Sequence, residues 1–85
     1  MCTLIVGDVH GCSRELERLL KAVRPERTIL VGDLFTRGPD PRGVWDLIRA
    51  HRAEAVLGNH DIDVLERWKP GQVLPKKAFR WLRAL

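Results

Sequence analysis

Three short apolar runs, each followed by a glycine and then by a polar residue, constrain the fold of this chain more than any other feature. The polar residues are Asp8, Asp33 and Asn59, and the intervals between them are 25 and 26 residues. An interval of that size accommodates one helix between two parallel strands. The chain is therefore predicted to be an α/β protein, built as a parallel β-α-β-α-β half-sheet with strands near residues 3–7, 28–32 and 54–58.

Helical periodicity separates the three runs. Leucine and valine residues recur at helical spacing from Leu16 to Val23, and Ser13 is the predicted N-cap of that first helix. A second helix is predicted from Pro41, with Asp40 as its cap, to about His51. A third is predicted over 61–68 and a short fourth from Pro75. The strand order is expected to be 1-2-3, or to have strand 1 at the centre.

The chain is expected to divide at Lys69-Pro70-Gly71, a helix-breaking sequence. Residues 1–69 are interpreted as half of a metal-site domain, and residues 70–85 as a linker and a basic amphipathic helix. A three-stranded half-sheet would leave an apolar edge and face uncovered. Self-association, or coverage by a C-terminal remainder, is expected to follow from that exposure.

Polar side chains should converge at one edge of this sheet. Parallel strands joined by right-handed crossovers direct their carboxyl ends to a single edge, where open α/β sheets bind ligands. That edge would carry carboxylate, imidazole and amide groups without a thiolate, a combination that suits manganese, iron, zinc or cobalt. The side chains concerned are those of Asp8, His10, Asp33, Asn59 and His60.

The positive charge of the chain is confined to its end. The net charge is +4, yet residues 1–75 are balanced between acids and bases, and the excess comes from lysine and arginine residues after Leu74. A solvated helix face explains this basic tail more simply than a nucleic-acid site does. No apolar run approaches the roughly 20 residues that span a bilayer, and Cys2 and Cys12 form no CxxC pair. These features predict a cytoplasmic protein that binds neither nucleic acid nor membrane.

The three strings GDVHG, GDLFTRG and GNHD resemble the first three motifs of the metallophosphoesterase (calcineurin-like phosphoesterase) superfamily. The stretch Arg37-Gly38-Pro39-Asp40 and the final aspartate of GNHD are similar to the branch of symmetrical diadenosine tetraphosphatases, which neighbours the bacterial serine/threonine phosphoprotein phosphatases. The resemblance implies a hydrolase with two divalent ions, manganese being the leading candidate and cobalt, iron or zinc the others. Its substrate would be a phosphorylated small molecule, in particular a bis(5'-nucleosyl) tetraphosphate.

The resemblance also implies a role for each site residue. Asp8 and His10 would hold the first metal ion, Asp33 would bridge the two ions, and Asn59 would hold the second ion and contact the substrate. Arg37 would bind phosphate oxygens, which a planar guanidinium can do in a bidentate manner. His60 matches the proton donor of the family.

Two departures from the family pattern leave alternatives open. Thr36 stands where phosphoprotein phosphatases of this superfamily have an aspartate that orients the proton donor, which favours the dinucleotide branch and leaves Asp61 or Asp63 as conceivable substitutes. The chain also has no histidine after His60, whereas the family continues with further histidine ligands. The alternatives are therefore a serine/threonine phosphoprotein phosphatase and, in another class, a non-catalytic remnant that binds metal or phosphate or serves in association.

Overall fold

A computed structural model of the chain describes residues 2–36 and 38–85. Strands and helices alternate over the first two thirds of the chain, and two helices end it. The elements are β1 (Thr3–Gly7), α1 (Ser13–Val23), β2 (Arg27–Val31), α2 (Pro41–His51), β3 (Glu54–Val56), α3 (Asn59–Arg67) and α4 (Lys76–Arg83).

The three strands form one parallel sheet in the order β1-β2-β3. This confirms the α/β half-sheet and the first of the two predicted strand orders, and the order with strand 1 at the centre is wrong. Ile5 pairs with Ile29, which pairs with Glu54. With right-handed crossovers, this order places both connecting helices on the same face of the sheet.

One face of the sheet is therefore buried and the other is bare. The side chain of Leu30 is fully buried and belongs to a core that all four helices share, with Leu4 and Val6 packed against it. On the opposite face Ile5 is 65% exposed and Val56 is 55% exposed. The expected apolar exposure of the half-sheet is present at this face.

The helix ends agree with the sequence in one case and differ in another. The Asp40 carboxylate accepts a hydrogen bond from the Gly43 N–H at 3.0 Å, so Asp40 caps α2 and Pro41 opens it as predicted. The prediction that Ser13 caps α1 is wrong, because Ser13 is the first helical residue and Cys12 occupies the N-cap position. The Ser13 hydroxyl instead donates to Asp40 Oδ2 at 2.7 Å, which ties the starts of α1 and α2 together.

The last two helices pack against each other. Helix α3 begins at Asn59, two residues before the predicted start. Helix α4 buries Ala78, Phe79 and Leu82 in the core, so the apolar side of this basic helix packs against the rest of the chain.

Within residues 2–36 and 38–85, none of the helices has the length and apolar character needed to cross a membrane.

Candidate metal centre

The carboxyl ends of β1 and β2 bring three of the predicted ligands together. Asp8, His10 and Asp33 each offer one donor atom, and these atoms lie within 4.8 Å of one another. The Nε2 atom of His10 is 3.7 Å from Asp8 Oδ1. The convergence expected from parallel strand ends therefore takes place for these three residues.

All three of these residues have a left-handed backbone. The φ angles are 54° at Asp8, 47° at His10 and 51° at Asp33. An L-residue in this region costs roughly 1–2 kcal/mol, although a short polar side chain such as Asp tolerates it better than most. Such outliers cluster at functional sites, where the surrounding structure holds them in place. The backbone strain thus coincides with the donor cluster.

The Asp33 carboxylate has both imidazole and backbone partners. Its Oδ1 atom accepts a hydrogen bond from the His60 N–H at 3.1 Å and lies 3.1 Å from the His60 Nδ1 atom. Burial by itself raises the pKa of Asp33, but the His60 N–H and the nearby imidazoles of His60 and His10 outweigh it and hold the pKa below its usual value. Asp33 is therefore favoured as a carboxylate, the form that binds a cation.

The two residues that open α3 have different positions. Asn59 is the first residue of the helix and is exposed. The His60 ring centroid lies 6.2 Å from that of His10, beside the donor cluster. The His60 Nδ1 atom is within ion-pair distance of Asp33, but it is buried and forms no hydrogen bond of good geometry with the described residues. The contact between His60 and Asp33 is therefore electrostatic.

Arg37, the predicted phosphate ligand, lies outside the described residues. The neighbouring Thr36, which stands at the position of the orienting aspartate in the phosphoprotein phosphatases, has a buried hydroxyl with no hydrogen-bond partner among the described residues. The carboxylate found next to the His60 ring belongs to Asp33 and not to Asp61, which had been a conceivable partner.

Asp61 has a different and well-defined position that the motif alone did not indicate. Its side chain is fully buried and accepts three backbone hydrogen bonds. The Asp33 N–H and the Gly58 N–H donate to Oδ2, each at 2.9 Å, and the Leu34 N–H donates to Oδ1 at 2.8 Å. One carboxylate therefore joins the loops that follow β2 and β3.

Backbone contacts join the β1 loop to the β2 loop in the same way. The His10 N–H donates to the Asp33 carbonyl and the Gly11 N–H donates to the Leu34 carbonyl, both at 2.8 Å. Glycine is required at two contacts between loops. Where the β1 and β2 loops meet, a Cβ on Gly38 would lie 1.5 Å from the His10 carbonyl oxygen, and where the β2 and β3 loops meet, a Cβ on Gly58 would lie 2.7 Å from the Asp33 nitrogen. Gly38 and Gly58 are thus packing requirements of the site.

The donor set fits a divalent metal ion. Two carboxylates and an imidazole are ligands of manganese, iron, zinc and cobalt. The His10 Nδ1 atom is buried and has no hydrogen-bond partner among the described residues, although a buried polar atom normally has one. A parallel α/β sheet with such a donor set at its carboxyl edge defines the class of protein as an α/β domain with a candidate metal centre at that edge.

Comparison with known proteins specifies the family. A family model described as calcineurin-like phosphoesterase matches residues 1–84. The chain therefore belongs to the calcineurin-like phosphoesterase family. It is 45% identical over 71 residues to the symmetrical bis(5'-nucleosyl)-tetraphosphatase of Erwinia tasmaniensis, covering 76% of this chain and 26% of that protein. The Pseudomonas putida protein of the same name is 38% identical over 82 residues, covering 89% of this chain and 28% of that one.

Two solved structures share the fold. One, described as a candidate diadenosine tetraphosphatase, superposes with a TM-score of 0.82 at 35% identity and covers 98% of this chain and 42% of that chain. The other, a metallophosphoesterase from Sphaerobacter thermophilus, has a TM-score of 0.79 at 28% identity and covers 100% of this chain and 41% of that chain. Of the curated sequence relatives named above, the chain spans about a quarter of the length.

Proposed function

We propose that this chain forms the first part of the metal centre of a metal-dependent phosphoesterase whose substrate is a symmetrical bis(5'-nucleosyl) tetraphosphate. The convergence of Asp8, His10 and Asp33 donor atoms within 4.8 Å is the observation that carries the proposal. The substrate class is supported by the names of the relatives. A small phosphorylated molecule is thus the proposed partner, and the two free cysteines are compatible with the proposed cytoplasmic location.

The proposed ligands are Asp8 and His10 for a first ion, Asp33 between two ions, and Asn59 for a second ion. Two divalent ions held by these residues would supply polarisation of the phosphoryl group, a lowered pKa of water and stabilisation of the attacking and leaving oxygens. Manganese is the proposed ion, because carboxylate, amide and imidazole ligands suit it. Asn59 would also contact the substrate, and Arg37 would grip phosphate oxygens, a role that rests on the sequence alone.

His60 is proposed to donate a proton to the leaving oxygen. Its Nδ1 atom faces the Asp33 carboxylate at 3.1 Å, which orients the ring and leaves Nε2 for the leaving group, as a general acid requires. Terminal phosphate is an easier leaving group than an alkoxide. Hydrolysis of a dinucleoside tetraphosphate, whose leaving group is a nucleotide phosphate, therefore needs this proton less than hydrolysis of phosphoserine does. Because Thr36 stands in place of an orienting aspartate, the dinucleotide is favoured over the phosphoprotein as substrate.

The proposal is tested by turnover with matched substrates. The chain would be incubated with Mn²⁺ and either diadenosine tetraphosphate or a phosphoserine peptide, with Asp33→Asn as the site variant and Asp46→Asn as an exposed-acid control. ADP release that Asp33→Asn abolishes and Asp46→Asn preserves is the expected result. A preference for the peptide would overturn the substrate class. Mn²⁺ binding without turnover of either substrate would instead show that this chain by itself holds the metal without hydrolysing these substrates.

A further inference from the structure

The buried carboxylate of Asp61 is not among the proposed metal, substrate or proton-donor residues, yet it is the most connected side chain near the site. It lies in the first turn of α3 and has no solvent exposure. A buried carboxylate must have its charge compensated by hydrogen bonds, and here three backbone N–H groups supply them. None of these donors belongs to another side chain, so what Asp61 fixes is the path of the main chain.

We infer that Asp61 is the positioning residue of the metal centre: its carboxylate sets the backbone of Asp33 and of the Gly58 turn, and through them the spacing of the ligand side chains. This inference rests on the metal site proposed above. Both carboxylate oxygens of Asp61 accept backbone hydrogen bonds, so Asp61 is not proposed as a ligand and acts through Asp33.

Asp33 has an unusual backbone conformation. Gly32 and Asp33 are consecutive left-handed residues, with φ angles of 60° and 51°. The N–H groups that follow this turn lie outside the hydrogen-bond ladder of the sheet, so they need partners elsewhere. The N–H groups of Asp33 and Leu34 indeed both donate to Asp61, one to each carboxylate oxygen. The Asp61 carboxylate thus stabilises the strained backbone that aims the Asp33 side chain.

The segment Asp33–Leu34 also contacts the loops that carry the other proposed ligands. The carbonyls of Asp33 and Leu34 accept hydrogen bonds from the N–H groups of His10 and Gly11. The segment Asp33–Leu34 therefore donates its N–H groups to Asp61 and uses its carbonyl groups to hold the β1 loop. On the β3 side, the Gly58 N–H donates to Asp61 immediately before Asn59. One carboxylate thereby couples all three loops that carry proposed ligands.

Replacement of Asp61 by asparagine would break this set of hydrogen bonds. Asparagine has nearly the shape of aspartate, but one of its two oxygen positions becomes an NH₂ group that cannot accept a hydrogen bond. In Asp61→Asn, at least one N–H among those of Asp33, Leu34 and Gly58 would face a donor. Replacement of a residue that positions the metal ligands without contacting the metal itself typically changes metal affinity by about 10–100-fold.

The test compares Mn²⁺ affinity with folding in the 85-residue chain. The variants are Asp61→Asn, the exposed control Glu66→Gln on the same helix, and Ile48→Val, a mild truncation of the core in α2. Mn²⁺ dissociation constants would be measured by electron paramagnetic resonance, and folding by far-UV circular dichroism in the absence of metal. We expect Asp61→Asn to keep the folded spectrum and to weaken Mn²⁺ binding by about 10–100-fold, while both controls stay close to wild type.

Each other outcome has a defined meaning. Wild-type affinity in Asp61→Asn would overturn the inference, and so would an equal loss in Ile48→Val, because the effect would then be general destabilisation. A wild-type chain that binds no Mn²⁺ would instead overturn the proposed metal site. If Asp61→Asn does not fold, amide hydrogen exchange in the wild type decides: slow exchange at Leu34 and Gly58 supports the inference, and exchange as fast as in an exposed loop overturns it.

Discussion

Asp33 and the first turn of α3 cap each other. The Asp33 N–H donates to the Asp61 carboxylate at 2.9 Å, while the Asp33 carboxylate accepts from the N–H of His60 at 3.1 Å. The second bond satisfies one of the N–H groups that a helix start leaves without an intrahelical partner. The candidate bridging ligand is thus held at both its main chain and its side chain by one short helix.

The close approach of Gly58 to this pair gives the first prediction. Gly58→Ala would place a Cβ 2.7 Å from both the nitrogen and the Oδ1 of Asp33, and the loops must separate to accommodate it. Overpacking of this kind costs about 1–3 kcal/mol, so we expect a lower urea midpoint. Gly7→Ala is the matched control, because no atom lies within 4 Å of its added Cβ. Equal stability of the two variants would show that the loops are not in contact.

Metal binding should stabilise the fold. At a metal concentration 100-fold above the dissociation constant, an ion that binds only the folded chain adds about 2.7 kcal/mol to the free energy of unfolding. We expect Mn²⁺ to raise the melting temperature of wild type and of the exposed-acid control Asp46→Asn, but not that of Asp33→Asn. Differential scanning fluorimetry with Mn²⁺, Co²⁺ and Zn²⁺ measures this. If none of the ions changes the wild-type midpoint, the donor cluster does not form a site in this chain.

The left-handed backbone at Asp8 predicts an unusual order of stability. With a φ angle of 54° at an exposed position, Asp8→Gly should be more stable than Asp8→Ala by roughly 1 kcal/mol, because only alanine suffers the steric penalty. At Asp63, inside α3, the order should reverse by about the same amount, since glycine is the poorer helix former. Chemical denaturation of the four variants checks both orders. Alanine more stable than glycine at position 8 would contradict the described backbone.

Asp40 should make stability depend on pH in the acid range. Hydrogen bonds from the Ser13 hydroxyl and the Gly43 N–H outweigh desolvation and hold the pKa of Asp40 below its usual value. A carboxyl with a lowered pKa in the folded state contributes stability above its unfolded pKa, about 3.9, and loses it as the pH falls through the folded value. We therefore expect the melting temperature of wild type to fall more steeply below about pH 4 than that of Asp40→Asn. Parallel slopes for the two proteins would exclude this role for Asp40.

His60 should affect turnover more than metal affinity. Its proposed role is proton donation, so His60→Asn should lower turnover by about 10²–10⁴-fold while the Mn²⁺ dissociation constant changes little. The loss should be smaller for aryl phosphates with good leaving groups, which need no proton. His51→Asn, at the exposed end of α2, is the control. A large loss of Mn²⁺ affinity in His60→Asn would assign His60 as a ligand.

Sequence reasoning succeeded where a property repeats along the chain. The strand at 3–7, the parallel pairing of the strands and the Asp40 cap of α2 follow from local periodicity and from turn chemistry, and the structure confirms each. The grouping of Asp8, His10 and Asp33 follows from the geometry that all parallel sheets share. These features need no knowledge of which side chains meet.

Sequence reasoning failed where a contact joins distant residues. Ser13 has the chemistry of an N-cap, but its hydroxyl donates to Asp40, 27 residues away, and no local pattern reveals that partner. Asp61 was considered only as a neighbour of His60, because its burial and its backbone donors depend on how α3 packs under the β2 loop. The signal available in the sequence was an aspartate three residues after a strand-ending glycine, in the first turn of a helix.

The hydrogen bonds from His10 to Asp33 and from Gly11 to Leu34 continue the β1–β2 pairing beyond the last ladder pair, Gly7 with Val31. The loops at the site are therefore mechanically part of the sheet. Surface loops commonly move within nanoseconds to microseconds, but a segment that is paired in this way opens only in larger cooperative units, at a free energy nearer that of global unfolding. We therefore expect exchange of bound molecules at this edge to depend more on the segments around the site than on motion of these two paired loops.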